Sequence, residues 1–390
     1  MARVAITGAT LLDGTPGPPV AGQTILWEAG VISWIGPDAE AVLDHALLIP
    51  ADGGTVLPGL IDSHVHISLS PTLTGIYDIE EEPVARTLIR AAHAAGVLLR
   101  AGITTARDVG SREGVAIDVA AAQRDGDLAG ARILAAGRGL TPPGGHGRAL
   151  GMEVEGAEAV AGAVRAEHER GADLIKLFPT GGVLGAGTHG FEVVMTLDEM
   201  QAAVETSHEL DMHVAAHIHG SEGIDVALDA GVDTIEHGTG ATRQQSERMS
   251  EQGVALVPTL VPLVAIRQRE LDMPRDLMKR VDEVADVQSE SVATAIEVGV
   301  RVLPGTDAGT PFNPPGQLVQ EMELLVELGM TPAAAVVAAT SAAATTFGWD
   351  DVGSLAIGNV ADLLLVDADP LEDLGTLSWP ATIVQDGVVI

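Results

Sequence analysis

Eight times along the chain a short apolar run gives way to glycine-rich residues and then to a helical stretch. The runs are "GTVLPGLIDSH", "AGITTARDVG", "ARILAAGRG", "ADLIKLF", "MHVAAHIHG", "VDTIEHG", "VALVPTL" and "VRVLPGTDAG". Strands that alternate with helices must pair in parallel, because each crossover returns the chain to the same end of the sheet. Eight such units in roughly 290 residues fit a closed (β/α)8 TIM barrel. An open doubly wound sheet is the alternative, but no G-x-G-x-x-G follows the first strand. Helix starts are well marked. Thr196 with Glu199 predicts a capping box, Ser221 a cap with Gly231 past the helix end, and Thr331-Pro332 the start of a helix running to Gly348.

The two ends of the chain have another texture. Residues 1–55 alternate short β-type runs with Gly, Pro and Asp turns, and residues 350–390 do the same in "VGSLAIGNVADLLLVDADP" and "ATIVQDGVVI". This predicts a small antiparallel β domain, a β-sandwich assembled from both termini, with the catalytic barrel at 56–349 inserted between them.

Barrel enzymes carry their chemistry at the C-terminal ends of the strands. Run one ends in "DSHVHI", so His64 and His66 sit at i and i+2 and face one way. Run four carries Lys176, run five His217 and His219, run six ends in His237, and run eight in Asp307. Of the 12 histidines, seven fall at or just after these ends, counting His146 and His189, whereas His93, His168 and His208 lie within predicted helices. Taken singly, each has a bland explanation: His217 or His237 as a core histidine, Lys176 as a snorkelling or salt-bridged lysine, Asp307 as a helix cap. Converging on one barrel mouth, imidazoles and carboxylates suit a divalent ion. There are no cysteines, so disulfides, thiolate ligands and cysteine nucleophiles are excluded. A net charge of −34 and an aromatic content of 2% argue against nucleic acid and anionic membranes as partners. The opening "MARVAITGATLLDG" lacks a charged-then-apolar leader, and no apolar run spans a bilayer, so a cytoplasmic protein is expected.

These motifs resemble the amidohydrolase superfamily across nearly the whole chain. "GADLIKLFPTGGV", "AAHIHG" and "DTIEHG" are similar to its imidazolonepropionase-related, Xaa-Pro-dipeptidase-like branch. The resemblance implies two divalent metal ions, with zinc expected, bridged by a carboxylated lysine and a hydroxide. Position by position, it implies that His64, His66 and Asp307 hold the more buried ion, that His217 and His237 hold the second, and that Lys176, carboxylated by CO2, bridges them. His219 becomes a substrate contact, although many relatives have tyrosine there, and His146 matches a position that contacts the scissile carbonyl.

The chemistry is coherent with those residue types. A lysine ammonium cannot ligate a cation, whereas its carbamate can, and an apolar strand favours the neutral amine that carbamate formation needs. Paired ions generate hydroxide at neutral pH and polarise a carbonyl. Asp307 is then the expected proton carrier, with His146 and His219 as donors to the oxyanion. The expected reaction is hydrolysis of an amide or peptide C–N bond in a small substrate, either a prolidase-like dipeptide or an N-acyl amino acid. A carbamate, urea or cyclic amide, including a xenobiotic, is the alternative substrate, and a non-catalytic binding barrel is the remote alternative. No carboxylate-binding arginine stands in the strand-end motifs, which weighs against the dipeptide. The Gly-rich segment after Lys176, with Gly181, Gly182 and His189, is expected to contact substrate as a lid, and "GTPFNPPG" to shape the pocket wall. Asp78, Glu80, Glu81 and Glu82 form either a solvated charge run or an attractor for a cationic side chain. Homo-oligomerisation is common in relatives, but no local feature fixes a number.

Overall fold

The computed structural model describes residues 3–183, 191–270 and 275–390. The barrel strands follow the sequence runs: Leu60–Val65, Ile103–Asp108, Arg132–Ala135 continued by Gly139–Thr141, Leu174–Leu177, His213–His219, Thr234–Thr239 and Ala255–Val257. All pair in parallel with their neighbours. The eighth position is a thin segment, 302–308, held by bridges Leu256–Val302 and Val65–Ala308. The Leu303 N–H donates to the Leu256 carbonyl at 2.9 Å, and the Asp307 N–H to the His64 carbonyl at 2.7 Å. These bonds close the ring, and the molecule is a (β/α)8 barrel with a β-sandwich built from both termini.

Each strand is followed by a helix that shields it, from Val84–Arg100 after the first to Leu318–Glu327 after the eighth. Ala91, Ala95, Leu98 and Ile103 pack together in one cluster between helices and strands, and Val164, Ile175, Val204 and Ile218 in another. His93, His168 and His208 lie in these helices, exposed to solvent.

Thr196 and Glu199 form the reciprocal capping box, and Thr331 caps its helix with Pro332 in the first turn. Two local readings need correction. Ser221 does not cap: Gly220 occupies that position, and the Ser221 hydroxyl bonds to Gln245 instead. The segment from Thr331 to Gly348 is two helices, Pro332–Ala338 and Ser341–Thr346. At the break, Thr340 leaves helical geometry and returns its hydroxyl to the Val336 carbonyl at 2.6 Å.

The terminal sheet is mixed rather than antiparallel. Val4–Leu11 pairs antiparallel with Val20–Glu28 but parallel with both Leu47–Pro50 and Thr55–Pro58. Leu363–Val366 from the far end joins beside Thr55–Pro58. Trp27 is buried in this core, and its indole N–H donates to the Gly387 carbonyl at 2.8 Å, tying the two ends together. Arg132 of the barrel pairs with Asp362 at 2.7 Å and Asp386 at 2.6 Å. Among the described residues no helix is long and apolar enough to cross a membrane.

Candidate metal centre and active-site cavity

The side chains singled out at the strand ends meet at one barrel mouth. The bulges in strand one, between Asp62 and Val65, and in strand five, at Ile218/His219, re-aim the residues that follow. Asp62 stitches strand one to the eighth segment: its carboxylate accepts from the Thr306 hydroxyl at 2.7 Å, the Thr306 N–H at 3.0 Å and the His64 N–H at 3.2 Å. His237, Thr259 and Asp307 all have left-handed backbone, with φ of 69°, 55° and 53°. For a β-branched threonine that is strained. Asn313 supports the turn at Asp307 by donating to the carbonyls of Thr306 and Asp307 at 2.7 and 2.9 Å.

Two trios of ligand atoms result, His64–His66–Asp307 and His217–His219–His237, each with its atoms within 4.8 Å of one another. The trios adjoin, since the His64 and His237 rings lie 5.3 Å apart. Hydrogen bonds decide which nitrogens are free. His64 Nδ1 donates to Glu236 at 2.6 Å, and His66 Nδ1 donates to the Gly110 carbonyl at 2.8 Å. Both Nε2 atoms therefore present lone pairs, each 3.4 Å from the same oxygen of Asp307. Two imidazole lone pairs aimed at one carboxylate oxygen is an arrangement a cation resolves, and among the described residues His64 Nε2 is buried with no hydrogen-bond partner. On the other side His217 Nε2 donates to the Gly181 carbonyl at 3.2 Å, leaving Nδ1 free. His219 and His237 bond through Nδ1 to Thr239 and Thr259, at 2.9 and 2.6 Å.

Among the described residues Lys176 Nζ is another orphan, buried and without a hydrogen-bond partner, which excludes a snorkelling lysine. Burial lowers its pKa, against the pull of Glu236 and Asp307. Its charge lowers the pKa of all six histidines of the site. Burial pushes His66 and His219 down to about 3 and His146 to about 4. His64, His217 and His237 also fall well below 6.5, again through burial. Neutral imidazoles are what metal ligation requires. Burial also raises the Asp307 carboxyl. The donor set and its orphaned atoms therefore fit divalent ions.

Above the trios lies a cavity of about 530 Å³, bordered by His66, His146, His217, His237 and Asp307, of a size for a small molecule. Gly181 and Gly182 form part of its wall. A Cβ at Gly182 would lie 2.3 Å from the His146 ring, so only glycine lets that imidazole sit there. Gly309, Thr310 and Pro311 form another part, as "GTPFNPPG" suggested. His189 and the rest of the expected lid, residues 184–190, lie outside the described residues. The acidic run is largely a helix, Gly75–Glu81, with three of its four charges engaged. Asp78 bonds to Thr74, Glu82 pairs with Arg90 and Arg86, and Glu80 pairs at 3.1 Å with Arg148. Arg148 borders the cavity and is the cation missing from the strand-end motifs. It stands two residues after His146, a signal that was legible but lay in a loop. Glu236 and Arg107, both buried beneath the trios, were equally visible as ionic residues inside apolar strands.

Known proteins share this architecture. The amidohydrolase family pattern matches residues 55–389. The crystal structure of a Xaa-Pro dipeptidase with methionine in its active site superposes with a TM-score of 0.91, at 31% identity, covering 100% of both chains. The ochratoxinase of Aspergillus niger is 26% identical over 98% of this chain and 85% of its own length. The imidazolonepropionase of Salinispora arenicola is 26% identical over 88% of this chain and 85% of its own length. With the barrel closed and the match running through nearly all of it, the chain belongs to the amidohydrolase family and is a hydrolase.

Proposed function

We propose that the chain is a binuclear metal-dependent hydrolase of the amide or peptide C–N bond in a small substrate, acting on dipeptides in the manner of a prolidase or on N-acyl amino acids. The observation that carries this reading is the convergence of two free Nε2 atoms on one Asp307 oxygen beneath an open cavity. His64, His66 and Asp307 would hold one divalent ion, with zinc expected, and His217 and His237 the other. Lys176, carboxylated by CO2, would bridge them, and His219 would reach the substrate. When bound, such a pair supplies Lewis acidity to the target carbonyl and to water. Asp307 takes the proton of the attacking water and hands it to the leaving nitrogen. His146 and His219 donate to the oxygen that gains charge. Gly181 and Gly182 keep the wall thin enough for substrate to reach them. We assign this chemistry to the barrel of residues 56–349, carried on a terminal unit of residues 1–55 and 350–390.

Arg148 supports a substrate with a free carboxylate, for which Glu80 serves as the resting partner. A screen of dipeptides and N-acyl amino acids against aryl carbamates, ureas and cyclic amides tests the reading. Carboxylate-bearing amides should be cleaved best, and Arg148→Met should raise KM for them but not for their C-terminal amides. The apolar wall of Leu69, Ile76, Leu150 and Phe178 favours the second reading, a neutral carbamate, urea or cyclic amide of xenobiotic type. Cleavage of those compounds alone would establish it.

A further inference from the structure

The two nitrogens that face Asp307 are aimed by different devices. His66 relies on a neutral backbone carbonyl. His64 relies on Glu236, whose other oxygen accepts from Arg107 at 2.6 Å. Arg107 rises from strand two and grips both neighbouring elements. Its Nε donates to the carbonyl of Ser63, the residue before His64, at 2.6 Å, and another nitrogen donates to the Thr234 hydroxyl at 3.2 Å. Its guanidinium stacks on Phe347, 4.3 Å from the ring centroid. His64 and Glu236 are fully buried, and Arg107 is 1% exposed. A planar fork held at this many points leaves the carboxylate one orientation, with its second oxygen aimed at His64. Glu236 also precedes His237, so one stretch of strand six orients a donor of the first trio and supplies a donor to the second.

We infer that Arg107 and Glu236 are positioning residues that set the ion affinity of the His64–His66–Asp307 trio: Arg107 locks the Glu236 carboxylate, and Glu236 locks the His64 ring with Nε2 toward the ion. The inference rests on the two-ion reading proposed above. An acceptor of this kind strengthens its histidine as a ligand, and removing one typically costs about 10–100-fold in metal affinity.

The test is titration of the full-length apoprotein with Co2+, following the visible absorption of the bound ion and its competition with a chelator. Glu236→Gln should weaken one of the two ions by about 10–100-fold and change its spectrum, leaving the other near wild type. Because that variant leaves Arg107 buried without its partner, the paired R107M/E236Q change, which removes both charges, serves if the single variant does not fold. E236D, which keeps the carboxylate, should recover part of the affinity. A folded variant holding both ions with wild-type affinity and spectrum overturns the inference while leaving the two-ion reading intact. A wild-type protein that binds no Co2+ stoichiometrically overturns both. Circular dichroism separates these outcomes from loss of fold, which a merely structural Arg107–Glu236 pair would produce without moving the affinity of the folded fraction.

Discussion

At the scale of single residues, the hydrogen bond on the far nitrogen decides what each histidine can do. His64, His66 and His217 each donate the N–H of one nitrogen to an acceptor that cannot donate, so the other nitrogen is left as a lone pair. Asp307 sits between two such lone pairs with a strained backbone that Asn313 holds in place. Asp307→Asn keeps the shape and removes the proposed anionic ligand and proton carrier together. It should lower kcat by about 10²–10⁴-fold, measured by initial rates on the best amide from the screen; a wild-type rate would remove Asp307 from the mechanism. The identities of these residues were readable from their places at run ends. Their tautomers were not, because the partners that set them lie up to 172 positions away in the chain.

Elements place those residues by local rules whose energies are small and separable. The helix Leu197–Glu209 follows the lysine strand and starts on the Thr196–Glu199 box. Thr196→Ala should cost about 1 kcal/mol of stability, read as a lower urea midpoint at unchanged slope, while ion binding stays as it was. The short helix Gly75–Glu81 is fastened to the mouth from its far end. Arg112 donates to the carbonyls of Ile79, Glu80 and Glu82, and Arg90 pairs with Glu82. The Arg90 guanidinium holds the Glu82 carboxyl below its ordinary 4.5. With a folded value below the unfolded one, the contribution is present above pH 4.5 and is lost as pH falls through the folded value. Glu82→Gln should therefore lower Tm at neutral pH, and the difference from wild type should vanish once the pH has fallen through the folded value. A difference that persists in acid would mean that packing, not charge, is at work. Ser221 illustrates a limit of local reading: its position before an apolar run was right for a cap, but Gln245 of the next helix competes for the hydroxyl.

The whole molecule is a ring whose last segment is the thinnest, and the site spans that seam. His64 lies on one side of it and Asp307 on the other, joined by backbone and by Asp62. Ions held as proposed at the seam would bind only the closed ring and would stabilise it by mass action, by about 4 kcal/mol per site at a thousandfold excess over Kd. Exhaustive chelation should lower Tm measurably, and restoring Zn2+ or Co2+ should raise it again; an unchanged Tm would detach the ions from the seam. The eightfold alternation, the strand-end histidines, Lys176 and Asp307 could all be named from the chain alone, because period and spacing dictate which way a backbone runs and which end of a strand a residue occupies. That Glu236 meets His64, that Arg107 locks both, and that Arg148 turns into the cavity against Glu80 follows only from ring closure and register. Those contacts join segments remote in sequence, and no local propensity carries the distance between them.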